Sequence, residues 1–138
     1  MLVRDVMTNQ VVIAAPDASI RQVAQMMSQI DSGAIPIVND EVLGIVTDRD
    51  IVLRAVAEGL NLDDPVSEIM TSGVESCLED DDLREAARRM SELQMRRLLV
   101  FDQAGTISGI LSLGDMAVLN EELAGVTLEE ISDDEDPK

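Results

Sequence analysis

The hydrophobic pattern of this chain changes period several times, and the whole succession occurs twice. Val11, Val12 and Ile13 form a short β-branched run. Ile20, Val23, Ala24 and Met27 then recur at helical spacing, with Ser19 and Gln22 placed as a capping box at the start. Two apolar runs, Ala34–Val38 and Val42–Val46, flank a polar turn and predict a hairpin. A last helix is expected from Asp48 to about Glu58, stopped by Gly59, a favourable residue just past a helix end. The second pass repeats the first. Asp82 and Glu85 open a helix carrying Leu83, Ala86, Ala87, Met90 and Leu93. Strands follow at Leu98–Phe101 and Ile107–Leu111, then a helix from Leu113 to about Glu122. Each copy reads β-α-β-β-α.

The duplication is also literal. Val3, Met7, Thr8, Val11, Asp17, Arg21, Ala24, Met27 and Ser28 recur as Val66, Met70, Thr71, Val74, Asp80, Arg84, Ala87, Met90 and Ser91. Gly44-Ile45-Val46-Thr47-Asp48-Arg49-Asp50 recurs as Gly109-Ile110-Leu111-Ser112-Leu113-Gly114-Asp115, after a short insertion around Gln103 to Thr106. One unit written twice predicts an α/β (α+β) fold of two similar halves related by a pseudo-twofold axis. The expected boundaries are residues 1–59 and 66–122 for the repeats, 60–65 for the linker and 123–138 for an acidic tail.

Composition narrows the function. With 46% apolar residues the chain of 138 supports a real core, and Phe101 is its only aromatic. Each copy of about 60 residues is marginal alone, so the halves are expected to stabilise each other. The net charge of −18, with Lys138 the single lysine, repels nucleic acid and anionic membranes, so neither is expected as a partner. The acid excess fits a high-salt environment, or compositional drift with an acidic tail. Cys77 stands alone, which excludes an internal disulfide and fits a cytoplasmic location. The absence of His removes the usual general base and metal ligand. No catalytic residue and no metal site are expected; Glu79-Asp80-Asp81-Asp82 reads as a solvated, cap-rich turn.

Thr47-x-x-Asp50 is by itself a capping box. A strand-to-helix junction also offers N–H groups and a positive dipole end to a phosphate. Val-Met-Thr at 6–8, Gly33-Ala34-Ile35-Pro36-Ile37-Val38 and Gly44–Asp50, echoed by Ile69-Met70-Thr71, Arg96-Arg97-Leu98-Leu99-Val100 and Gly109–Asp115, resemble a tandem cystathionine-β-synthase (CBS) domain pair, or Bateman module, over roughly residues 1–120. The resemblance leaves no room for a catalytic domain. It implies a regulatory module that binds an adenine nucleotide or S-adenosylmethionine, with no obligatory cofactor. It assigns Asp50 and Asp115 to ribose, and Thr47 and Ser112 to phosphate. Arg96 and Arg97, where the family places basic phosphate contacts, are expected to face the Thr47/Asp50 site, with Arg49 beside it. Val11, Val12, Ile13, Ile35 and Pro36 are the candidates for an aliphatic slot around the base. A homodimer, with one of the helix faces at 51–57 and 116–119 packed inside the pair and the other across a twofold interface, and an unknown target protein complete the expectation. The rival is a ligand-free scaffold in which both Thr/Ser-x-x-Asp motifs only cap helices.

Overall fold

The computed structural model describes residues 1–9 and 11–119. The elements run α1 (Ile20–Ile30), β1 (Ala34–Val38), β2 (Val42–Thr47), α2 (Asp48–Asp50, continuing as a π-helix over Ile51–Val56), β3 (Ser76–Leu78), α3 (Leu83–Leu93), β4 (Arg97–Phe101), β5 (Ile107–Ser112) and α4 (Leu113–Leu119). Short 3₁₀ turns occupy Val3–Asp5 and Val66–Glu68. The expected end of the last helix beyond residue 119 and the tail at 123–138 lie outside the described residues.

The fold is α+β, with two small sheets. The chain forms two compact units that cut across the sequence repeats. One is Val12–Val74; the other joins Met1–Val11 to the chain from Glu75 onward. Each unit therefore takes its Val-x-x-x-Met-Thr segment from the other repeat.

In the Val12–Val74 unit, Ser19 Oγ accepts from Gln22 N and Gln22 Oε1 accepts from Ser19 N, both at 3.0 Å, which completes the capping box. α1 buries Ile20, Val23 and Met27 on one face, against Ile35, Ile37 and Val46 of the β1–β2 hairpin. Val66 and Ile69 close the same core. α2 opens as an α turn and then widens: Ala57 N donates to Val52 O at 2.9 Å and Leu60 N to Ala55 O at 3.0 Å, each spanning five residues. Gly59, at φ 70°, ends it as expected.

The run Val11–Ile13 is not a strand, contrary to its β-branched composition. Only Ala14 pairs with β1, donating to Pro36 O at 3.0 Å and accepting from Val38 N at 2.9 Å. Extending this parallel ladder toward Val12 needs the N–H of residue 36, and Pro36 has none. At the equivalent position Leu99 N donates to Glu75 O at 3.1 Å, and there β3 forms, parallel to β4.

In the other unit, Val3 and Val6 pack with Leu83, Ala87 and Met90 of α3 and with Leu98, Val100 and Leu111 of the β3-β4-β5 sheet. Asp82 caps α3 by accepting from Arg84 N at 2.9 Å. The expected second arm, from Glu85, is absent from this cap; Glu85 instead accepts from Arg88 Nη2 at 2.7 Å.

Candidate functional site

Each hairpin delivers a hydroxyl residue and an aspartate to a strand-to-helix junction, and in each a glycine makes that possible. A Cβ on Gly44 would fall 3.1 Å from the Thr71 carbonyl carbon and closer still to its oxygen. Without one, Ile45 N donates to Thr71 O at 2.9 Å and Thr71 N to Ile45 O at 2.8 Å. This close bridge carries the Thr71 hydroxyl to Asp50, where it donates to the carboxylate oxygens at 3.4 Å each. Asp50 Oδ2 also accepts from Thr47 N at 3.0 Å, and Arg54 Nε stands 3.7 Å from Oδ1. The Asp50 side chain is 12% exposed.

The N–H groups at this junction were expected to be open to a phosphate. The structure shows them engaged. Asp48 N donates to Gly33 O at 3.0 Å, Arg49 N to Asp48 Oδ1 at 2.8 Å, and Asp50 N to Thr47 Oγ1 at 3.2 Å. The Arg49 N–H is taken because the Asp48 carboxylate folds back over Gly33, where a Cβ would lie 2.9 Å from Oδ2.

The second junction repeats this chemistry with other residues. Ser112 Oγ accepts from Asp115 N at 3.1 Å. Thr8 Oγ1 donates to the two Asp115 oxygens at 3.3 and 3.2 Å. Thr8 and Ile110 exchange N–H···O bonds of 2.9 and 3.0 Å beside Gly109. Leu113 N donates to Arg96 O at 3.1 Å, as Asp48 N does to Gly33 O. Arg97 lies directly across the sheet from Ser112, so their side chains share a face. The Arg97 side chain is exposed and makes no hydrogen bond or ion pair among the described residues.

The remaining candidates separate. Thr47, Arg49, Asp50, Val12, Ile13, Ile35 and Pro36 belong to one unit; Val11, Arg96, Arg97, Ser112 and Asp115 belong to the other. Ile35 is fully buried in the core between α1 and the hairpin, which takes its side chain out of any ligand slot. Pro36 projects from the opposite face of β1, and Ile13 is 50% exposed. Arg49 lines a shallow depression with Asp48, Val52 and Leu53. Thr8, Thr71 and Arg54 carried no assigned role in the sequence; the identical Met-Thr pair in both repeats was the signal for the two threonines. No acidic or sulfur cluster suited to a metal occurs among the described residues.

Two strand-to-helix junctions, each presenting a hydroxyl and a supported carboxylate, define a duplicated module built on small sheets. The CBS domain family model matches residues 3–56 and 66–120, and the chain belongs to the CBS domain family. It is 42% identical over 133 residues to the CBS domain-containing protein YhcV of Bacillus subtilis, covering 94% of each chain. It is similar to the CBS domain protein PAE2072 from Pyrobaculum aerophilum complexed with AMP, with a TM-score of 0.77 and 27% identity over 91% of this chain and 99% of that one. The CBS domain pair of MJ0100, in complex with 5'-methylthioadenosine and S-adenosyl-L-methionine, superposes with a TM-score of 0.75 and 27% identity over 88% and 97%.

Proposed function

We propose that this chain is a regulatory CBS pair that binds an adenosyl ligand, AMP, ADP, ATP or S-adenosylmethionine, and reports it to a target protein. The observation that carries the reading is the support that Asp50 and Asp115 share. Each sits in the first turn after a strand, beside a capping hydroxyl, and each is held by a threonine hydroxyl from a distant segment. A carboxylate has about four lone-pair positions. The protein's own hydrogen bonds leave lone-pair positions on each for ribose hydroxyls, and at Asp50 the guanidinium of Arg54 stands beside Oδ1. The AMP complex of PAE2072 and the adenosyl complexes of the MJ0100 pair support the ligand class. Arg97, exposed and unengaged, suits a phosphate, because a guanidinium fork binds phosphate oxygens bidentately.

The module is regulatory rather than catalytic, in keeping with a chain that has no His. A homodimer is supported by α2, where Val52, Leu53 and Val56 are 56%, 49% and 61% exposed. No helix among the described residues is long and apolar enough to cross a membrane. A cytoplasmic home fits the single, buried thiol of Cys77.

Calorimetry with adenosine, AMP, ADP, ATP and S-adenosylmethionine tests the reading. At least one should bind, Asp50→Ala and Asp115→Ala should each remove one binding event, and Arg97→Ala should weaken AMP about tenfold while sparing adenosine. If none of the five binds, the ligand-free scaffold replaces it.

A further inference from the structure

Asp50 and Asp115 are held alike by threonine, but among the described residues only Asp50 forms an ion pair with a guanidinium. Arg54 Nε lies 3.7 Å from Asp50 Oδ1, and Arg54 Nη1 donates to the Met70 carbonyl at 3.4 Å. The side chain therefore spans from the acceptor to the segment that also carries Thr71. The Arg54 side chain is 53% exposed, whereas that of Asp50 is 12% exposed. A largely covered carboxylate thus keeps a solvent-facing counter-ion over one oxygen. In the second repeat the corresponding position is Leu119, which brings no charge.

We propose that Arg54 is an internal competitor for the Asp50 acceptor: a ligand diol can donate to Oδ1 only by displacing the guanidinium. This rests on the reading that Asp50 receives ribose hydroxyls. Oδ2 is committed to Thr47 N, and the Thr71 hydroxyl is shared between both oxygens. Oδ1 is thus the oxygen with fewer donors from the protein, and Arg54 Nε is the cation beside it. The Asp50 site is therefore tuned down relative to what its carboxylate would otherwise offer. Because half of Arg54 faces water, the tuning depends on salt. Raising ionic strength weakens the ion pair and strengthens a neutral diol, the reverse of the salt dependence of a phosphate contact. Arg54 is thus a specificity-determining residue that makes the Asp50 site respond to ionic conditions.

The test uses adenosine, which is neutral, so salt acts on the protein's own pair. Calorimetry is done on the full chain in an Asp115→Ala background, leaving the Asp50 event alone. Arg54→Met keeps the apolar stem and removes the charge. It should tighten adenosine about two- to fivefold at 0.1 M KCl, the range expected of an exposed ion pair. Without the substitution, affinity should rise by a similar factor between 0.1 and 1 M KCl; with it, affinity should be flat. Melting of each variant confirms folding. If Arg54→Met weakens adenosine or leaves it unchanged, while Asp50→Ala abolishes binding, the competitor role is wrong and the ribose reading stands. If Asp50→Ala does not affect adenosine binding, or adenosine does not bind, the ribose reading fails and takes this proposal with it.

Discussion

The Thr71 hydroxyl donates to both carboxylate oxygens of Asp50, 21 residues away and in the other sequence repeat. Thr8 does the same for Asp115 across 107 residues. The two acceptors are thus each supported by the Met-Thr segment of the opposite copy. The support is polar and specific, so it can be removed without changing shape. Thr71→Val keeps the volume and deletes the donor. A hydrogen bond to a charged group contributes about 1.5–3 kcal/mol at good geometry. At these longer distances about 1 kcal/mol is expected for Thr71→Val and likewise for Thr8→Val. Thr71→Ser should retain most of the stability. Urea unfolding of the three variants measures it, and valine variants as stable as the parent would show the contact to be incidental.

The glycines at the hairpins should divide sharply by position. Ala at 109 would set its Cβ 2.6 Å from Met7 Sδ and 2.7 Å from the Thr8 carbonyl oxygen, and Ala at 44 would press on the Thr71 carbonyl. Overpacking of this kind typically costs about 1–3 kcal/mol. Gly114 is different: a Cβ there meets only Ser112 Oγ, at 3.7 Å, and its backbone is helical. Gly114→Ala should stabilise by about 0.5–1 kcal/mol, because alanine is the better helix former. Thermal melts of the three single variants should therefore show two losses and one gain.

How legible this was in the sequence depended on whether a feature is local. Ser19 and Gln22 announced α1, and the apolar alternation placed β1, β2, β4 and β5 to within a residue. These rest on periodicity and on contacts three residues apart. Val11–Ile13 misled, since its β-branched side chains favour a strand, but the pairing depends on an N–H that Pro36 lacks. Thr47, Asp50, Ser112 and Asp115 were legible because each pair lies within one turn. Thr71 was not, because its link to Asp50 is tertiary; a repeated Met-Thr says that a threonine is wanted, not what it holds. Arg54 lies four residues after Asp50 on the same helix, a spacing that does encode the pair. The engagement of the Arg49 N–H by the Asp48 carboxylate depends on the room left by Gly33, which no spacing rule encodes.

Both long helices end on a non-glycine residue in the left-handed region: Asp31 at φ 53° after α1 and Gln94 at φ 56° after α3. An L-residue there costs about 1–2 kcal/mol, less for Asp, whose short polar side chain tolerates it. Glycine removes that cost but adds freedom to the unfolded chain. Gln94→Gly should gain about 0.5–1 kcal/mol and Asp31→Gly less. Chemical denaturation separates the two, and a loss at Gln94 would contradict the C-cap argument.

Cys77 packs in the core of the second unit at 5% exposure, and burial, reinforced by the charge of Asp81, pushes its thiol up to about 11. The thiolate is the reactive form, so native protein at pH 8 should resist alkylation and react only on unfolding. The linkage has a definite sign. Above pH 9 the unfolded thiol loses its proton while the folded one keeps it, so the unfolded state binds fewer protons and stability falls with pH. The loss should develop between about pH 9 and 11 and be absent in Cys77→Ala. Denaturation midpoints across that window, compared between the two proteins, decide it.

Salt should stabilise the fold, although it weakens every ion pair in it. The chain carries 28 acidic and 10 basic residues, a net charge of −18. Several of the arginines are already paired, with Arg4 to Glu79 and Asp80, Arg21 to Asp63 at 3.2 Å, and Arg88 to Glu85 and Glu92. The pairs of Arg21 and Arg88 are more than half exposed on both sides, and such pairs contribute about 0.2–1 kcal/mol each. Screening them loses little. The acids in excess of the basic residues repel one another most in the compact state. The Debye length falls from about 10 Å at 0.1 M to about 3 Å at 1 M, so that repulsion is largely removed. Repulsion wins, and the melting temperature should rise by several degrees between 0.1 and 2 M KCl, about 4 °C for each kcal/mol recovered. Chloride is the right salt, because sulfate strengthens apolar burial whatever the charge. A melting temperature that stays flat or falls would mean that the paired arginines, not the excess acids, dominate the electrostatics of the folded state.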